Sequence, residues 1–253
     1  MKPPVLILHA TGTNRDREAA WACELAGGAP DIVHVERLAS GEVDLLDYRM
    51  LVLPGGFSYG DDLGAGKVWA VLLRTRLAEP LARFLEAGRP ALGICNGFQA
   101  LVAAGLLAPR GEVTLTHNDS GRFECRWVTL LPDPTSPCVF TRDLREPILC
   151  PVAHGEGKLV AASPRVEDAL VAGGRVALRY YPTPDAPGGY PGNPNGSFAD
   201  AAGLTNAEGT VLGLMPHPED HLVPDQHPRV HRGERGGSGL ALFAAGLRYA
   251  ADL

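Results

Sequence analysis

The chain has 253 residues, 45% hydrophobic and 21% charged, which is ample for a buried core. A net charge of −6 without any Lys/Arg cluster argues against nucleic acid or an acidic membrane as a partner, and no apolar run approaches the roughly 18 residues of a membrane span. Five cysteines, an odd number with no Cys-x-x-Cys pair, suggest neither a disulfide framework nor a zinc site and fit a reducing, cytoplasmic setting.

The apolar run Val5–His9 predicts a buried first strand rather than a secretory leader, with a Thr-Gly-Thr-Asn loop and a helix from about Asp16 after it. Ile32–Arg37 reads as a second strand and Met50–Leu53 as a third, stopped by Pro54-Gly55-Gly56. Leu72, Leu73, Leu77, Leu81 and Leu85 give helical spacing across Val68–Ala87. Ala91–Ile94 is the next strand, and a helix over Asn96–Ala104 follows it directly. Strands are then expected at Val113–Leu115, Phe123–Leu130, Ile148–Cys150, Leu159–Ala161, Val176–Tyr181, Gly203–Thr205 and Val211–Met215. Pro182–Ser197 is a Pro/Gly/Asn-rich loop, and Gly239–Ala251 a closing amphipathic helix. Strands alternating with helices imply an α/β fold: a mostly parallel central sheet with helices on both faces, plus a small antiparallel region. No linker-like boundary divides residues 1–253, so one domain is expected.

The most informative stretch is Gly93-Ile94-Cys95-Asn96-Gly97, a strand running into a cysteine from which a helix leaves. Glycines two positions either side permit a sharp turn. Such a turn exposes the sulfur at the carboxyl end of the sheet and at a helix N-terminus, which favours a thiolate. This is a cysteine form of the nucleophile elbow. A thiol nucleophile needs a base, and the base needs an orienting group. His217, in Met215-Pro216-His217-Pro218-Glu219, lies at another strand end with Glu219 two residues on. His154, in Ala153-His154-Gly155-Glu156-Gly157, is the rival base, whereas His221, His227 and His231 read as solvated loop residues. The Pro54-Gly55-Gly56-Phe57-Ser58 loop can bare backbone N–H groups beside the elbow, as acyl transfer requires. Neither GxxxxGK[ST] nor GxGxxG occurs, so no nucleotide site is expected in this chain.

Together these three motifs resemble the class I, triad-type glutamine amidotransferases, whose fold is flavodoxin-like. The fuller segments Pro54–Asp61, Gly93–Gln99, Ser120–Trp127, Ala153–Gly157, Asn193–Ser197 and Gly213–Glu219 are similar to the glutaminase subunits of phosphoribosylformylglycinamidine synthases. The resemblance runs from Val5 to about Glu219. It implies a glutaminase in which Cys95 attacks the carboxamide of glutamine, His217 relays the proton and Glu219 orients it. Backbone N–H groups of Gly56 and Asn96 would hold the oxyanion. Gly55, Phe57 and Gln99 would face the substrate, and Asn118, Ser120, Gly121, Arg122 and Phe123 would hold its α-amino and α-carboxylate groups. It also implies no cofactor in this chain. The partner would be a synthetase subunit that uses ATP and magnesium, commonly bridged by a small accessory subunit. Alternatives on the same scaffold are an amidotransferase feeding another synthase, or a cysteine peptidase or chaperone-like protein.

Overall fold

The structure, a computed structural model, describes residues 2–181 and 189–253; the first half of the expected Pro182–Ser197 loop lies outside them. In chain order the elements are β1 (Pro4–His9), α1 (Asp16–Leu25), β2 (Ala29–His34), α2 (Val35–Ala39), β3 (Met50–Leu53), α3 (Lys67–Arg74), α4 (Ala78–Glu86), β4 (Ala91–Ile94), α5 (Asn96–Ala104), β5 (Val113–Thr116), β6 (Glu124–Pro132), β7 (Ile148–His154), β8 (Lys158–Ala161), α6 (Pro164–Ala172), β9 (Val176–Tyr180), β10 (Ala201–Thr205), β11 (Val211–Leu214) and α7 (Leu240–Ala251).

A nine-stranded sheet runs β2-β1-β3-β4-β11-β10-β9-β6-β7. Pairing is parallel from β2 to β11 and antiparallel from β11 to β7. The antiparallel strands thus extend the parallel sheet, while β5 and β8 form a separate antiparallel pair. Burial follows this division. Every residue of β3, β4 and β11 is buried, as expected for strands covered on both faces. Along β7 buried and half-buried residues alternate, the mark of a strand with one core-facing side. The helices pack in two groups, α1 with α7 against β1 and β3, and α3 with α5 beside β4 and β11.

Three elements differ from the sequence reading. The second strand ends at His34, whose Nδ1 accepts the Glu36 N–H and caps the short α2, so Val35–Arg37 is helical. The expected Val68–Ala87 helix is two helices. Thr75 breaks it: its hydroxyl donates back to the Val71 carbonyl at 2.7 Å, a bond that competes with helix continuation. Leucines four apart suit one helix or two, so spacing alone does not reveal the break. The α6 helix, Pro164–Ala172, has no counterpart among the expected elements. Its signal was present, because Ser163 caps the Val166 N–H and Pro164 occupies the first turn.

Helix α5 lies hard against the sheet. A Cβ on Gly97 would stand 2.0 Å from the Leu53 carbonyl oxygen of β3, and one on Gly93 would stand 2.9 Å from the Gly97 carbonyl. Strand β7 meanwhile reaches across the carboxyl ends of β4 and β11. Its Pro151 carbonyl accepts the His217 N–H at 2.8 Å. Because Gly97 faces main chain rather than a yielding side chain, Gly97→Ala is expected to destabilise the fold by about 3 kcal/mol, the upper part of the overpacking range. Urea unfolding at constant m-value measures this; a loss within experimental error would show that α5 can lift off β3.

Candidate active site

Cys95 has φ 50° and ψ −104°, a left-handed backbone geometry that a residue with a Cβ adopts only at a cost. Its N–H donates to the Leu214 carbonyl of β11 at 2.8 Å, and its carbonyl accepts the Gln99 N–H at 3.0 Å. The turn is therefore tied into the neighbouring strand on one side and its own helix on the other. The thiol is 6% exposed and donates a long contact to the Ala153 carbonyl at 3.8 Å. Asn96 opens α5, so its N–H has no helical partner.

The loop after β3 is fastened to this turn. Asn96 Oδ1 accepts the Ser58 N–H at 3.1 Å, while Asn96 Nδ2 donates to Asp61 Oδ1 at 2.9 Å and to Gln99 Oε1 at 3.1 Å. Gln99 Nε2 in turn donates to the Glu156 carbonyl at 2.7 Å. Gly56, at φ 142°, forms an isolated bridge with Thr13; the bridge bonds come from the Asn14 and Phe57 N–H groups. A Cβ at Gly56 would meet the Asn14 nitrogen at 2.7 Å. Gly55 is needed for a different reason. A Cβ there would stand 2.8 Å from His217 Cε1 and 3.5 Å from Cys95 Cβ, so both side chains flank the one point that glycine leaves open.

His217 and Glu219 are both buried, with His217 Nδ1 donating to Glu219 Oε1 at 2.7 Å. A carboxylate oxygen only accepts, so Nδ1 carries a proton and Nε2 is the atom free to exchange one. Nε2 has no hydrogen-bond partner among the described residues. Burial opposes the imidazolium, but the charges of Glu219 and Cys95 outweigh it and hold the His217 pKa well above its ordinary value. Asp220 is pushed up to about 6, first by burial and then by Glu219 beside it; Arg15 lies 3.8 Å away.

Two adjoining lobes of one cleft meet at Cys95. They share Gly56, Phe57, Cys95, Phe123 and Ala153. One, of about 210 Å³, adds Asn14, Arg15 and His217; the other, of about 260 Å³, adds Asp61, Ala65, Gln99 and His154–Glu156. Cys95 and His217 thus face a common space, although 122 positions separate them in the chain. His154 is placed differently. Its Nδ1 is held by Asn118 Oδ1 at 3.1 Å, and burial, with a further push from His217, lowers its pKa to about 4. Among the described residues it has no carboxylate partner of the kind His217 has.

The expected substrate residues divide. Phe57, Gln99 and Phe123 line the cleft, as does Gly56 of the expected oxyanion pair, while Gly55 lies behind it against His217 and Cys95. The Asn118 side chain is committed to its own loop, donating to the Arg122 and His154 carbonyls and accepting from Gly157 N–H and His154. Ser120 and Arg122 line a separate cleft with Tyr190 and Asn193, and Gly121 stands open on the surface. Of the three histidines read as solvated, His221 and His227 are buried. Their rings pack edge to face, His221 also against Trp127, which removes them from solvent. Arg15, Asp61 and Glu156 line the cleft without having been assigned a role from sequence. Asp61 and Glu156 lie inside the Pro54–Asp61 and Ala153–Gly157 segments, which is the signal the sequence carries for them.

Residues 2–250 match the CobB/CobQ-like glutamine amidotransferase domain family. The chain is 46% identical to phosphoribosylformylglycinamidine synthase subunit PurQ of Treponema denticola, over 98% of this chain and 99% of that protein. It is 43% identical to the subunit of the same name from Dehalococcoides mccartyi, over 98% of each. Among solved structures, a chain of PurLQS from Thermotoga maritima superposes with a TM-score of 0.77 at 35% identity, covering 98% of this chain and 99% of that one. With the elbow, the loop and the histidine–glutamate pair converging on one cleft, the chain belongs to the glutamine amidotransferases, in the group of PurQ subunits of phosphoribosylformylglycinamidine synthase.

Proposed function

We propose that this chain is the glutaminase subunit of a phosphoribosylformylglycinamidine synthase, one amidotransferase domain over residues 1–253, with Cys95, His217 and Glu219 as its catalytic set. The observation that carries the reading is the shared lobe of Cys95 and His217, with Glu219 2.7 Å behind the imidazole. The Cys95 sulfur attacks the carboxamide carbon of glutamine. As the C–S bond forms, the carbonyl oxygen takes up charge, and the Gly56 and Asn96 N–H groups stabilise it. His217 delivers the proton from Nε2 to the departing nitrogen; the C–N bond breaks and ammonia leaves. Water then attacks the thioester carbon, giving a proton to His217; the C–S bond breaks, the proton passes to the Cys95 sulfur, and glutamate departs.

The buried pair suits this role. Glu219 fixes which nitrogen bears the resting proton and stabilises the imidazolium formed when the thiol ionises. Gly55, Phe57, Gln99 and Phe123 form or shape the wall that receives glutamine. Asn118 acts through the loop it braces, and Ser120, Gly121 and Arg122 form the outer part of that turn. Ammonia passes to a synthetase subunit that uses ATP and magnesium to convert formylglycinamide ribonucleotide to its amidine; a small accessory subunit completes the complex. The similarity to a PurLQS chain supports the association with a synthetase.

In the reconstituted complex, Cys95→Ala is expected to lower glutamine-dependent synthesis at least about a thousandfold. Synthesis from added ammonium should stay near the wild-type rate. Retained use of glutamine would refute the assignment of Cys95. Glu219→Gln removes the larger of the two charges that support the imidazolium, leaving only Cys95 to oppose burial, so the histidine-dependent limb of the pH–rate profile should move to lower pH. Because the folded-state pKa of His217 is raised, the stability contributed by the pair is fully present below the unfolded value of 6.5 and is lost as pH rises through the folded value. The stability gap between wild type and Glu219→Gln, of order 3 kcal/mol for a broken buried pair, should therefore be widest below about pH 6.5. Denaturant titrations across pH measure it; a gap that widens as pH rises would contradict the pairing.

A further inference from the structure

Strand β7 ends the nine-stranded sheet, with β6 paired along one side of it. In an antiparallel pair alternate residues turn their main-chain groups away from the partner strand. Leu149, Pro151 and Ala153 are such residues, and their carbonyls receive three different parts of the site. The Leu149 oxygen accepts His221 Nδ1 at 2.5 Å, the Pro151 oxygen accepts the His217 N–H, and the Ala153 oxygen faces the Cys95 thiol at 3.8 Å. A proline suits this edge because it has no N–H to leave bare. One short run of β7 is thus the common reference for Cys95 and His217, and His221 is a further point of attachment.

His221 follows Glu219 by two residues, just after the single turn Pro218–Asp220. Its ring is fully buried and packs edge to face with Trp127 of β6 and with His227. A carbonyl only accepts, so Nδ1 carries the proton, while Nε2 has no hydrogen-bond partner among the described residues. A buried nitrogen left without a partner is costly. An apolar side chain would fill the same space without that cost, so what distinguishes the imidazole here is its bond to Leu149. The main chain is fixed as well. The His221 carbonyl accepts the Gly239 N–H at 2.7 Å and the Ser238 hydroxyl at 3.2 Å. The Gly237 carbonyl accepts the Leu149 N–H at 2.7 Å. The Pro224–Gly237 segment therefore leaves from beside His221 and returns to the same residue of β7, closed on itself by Glu234, which lies 3.2 Å from Arg229 and 4.0 Å from His227.

We propose that His221 is a positioning residue: its bond to Leu149 fixes the far end of the His217–Glu219 loop on β7 and so sets the height of the His217 ring over Cys95. This rests on the glutaminase reading above. The Pro151 bond alone is a point about which the loop can pivot. A second bond two residues along the strand, about 7 Å away, removes that freedom. Displacing a reacting group by about 1 Å costs on the order of a hundredfold in rate. His221 lines neither lobe of the cleft. What it governs is therefore the turnover of bound glutamine rather than its binding.

The test compares His221→Leu, His221→Gln and His221→Asn in the full complex, purified by gel filtration. The amide nitrogen of asparagine takes the place of Nδ1 and keeps the Leu149 bond. Glutamine, of the same polarity, carries its amide one bond further out and does not. His221→Leu and His221→Gln should lower kcat for glutamine-dependent synthesis about ten- to a hundredfold, with KM within about twofold of wild type. His221→Asn should recover most of that rate, and synthesis from added ammonium should be the same in all three. The comparison of His221→Asn with His221→Gln stands even if His221→Leu folds poorly. A wild-type kcat in His221→Gln, a His221→Asn rate no better than that of His221→Gln, a rise in KM at unchanged kcat, or ammonium-dependent synthesis that falls in step would each overturn the proposal. Cys95→Ala run in parallel separates the two readings. Glutamine use that survives it overturns both, whereas its loss alongside unaffected His221 variants overturns the positioning role alone.

Discussion

The close approach of α5 to β3 is the constraint on which the site depends. Gly97 brings the helix so near that no side chain fits between it and the Leu53 carbonyl, and Gly93 allows the same turn from the strand side. Between them Cys95 is driven into a left-handed backbone conformation. Such geometry costs of order 1–3 kcal/mol and persists only where its surroundings over-determine it. Here they do so through the main-chain bond to Leu214, the Gln99 bond within the helix, and the buried strands on either side. What the strain obtains is direction: the sulfur stands at the end of the sheet rather than in its core.

Everything else at the site is referred to that turn. Asn96 links it to the Ser58 loop, and Gln99 links it to Glu156 beyond β7. Two loops of the cleft are thereby braced by side chains of the first turn of α5. A buried amide that satisfies donors and acceptors in several directions fixes geometry better than an apolar contact, because hydrogen bonds are directional and leaving one unmade in the interior is expensive. His217 arrives separately, from the loop after β11, and its main chain is pinned by Pro151. The antiparallel extension of the sheet is what brings Pro151 there, so the half of the molecule that lacks Cys95 still positions His217.

Charge is distributed in the same economical way. Beside Glu219 the buried His217 is held in favour of its charged form, which burial alone would oppose. His154, equally buried but bonded to a neutral amide, is driven to the uncharged form. Two histidines in one cleft are thus set apart by their partners, and the partner is a matter of tertiary placement rather than of local sequence.

Sequence alone determined the elements whose signal is local. The strand-to-helix turn at Cys95, the fully apolar β3, β4 and β11, and the glycines of the loop after β3 follow from residue types at fixed short spacings. Pairing His217 with Glu219 was legible for the same reason, since the two are neighbours in the chain. The break at Thr75 and the helical Val35–Arg37 segment were not legible, because one hydroxyl and one imidazole decided them against an otherwise consistent pattern. Tertiary structure alone decided which histidine meets Cys95, that His221 and His227 are buried, that Asn118 is consumed by its own loop, and that Arg122 faces another cleft. These are contacts between segments far apart in the chain. Their selection depends on how a twisted sheet brings loop ends together, and no short-range pattern of residues encodes that.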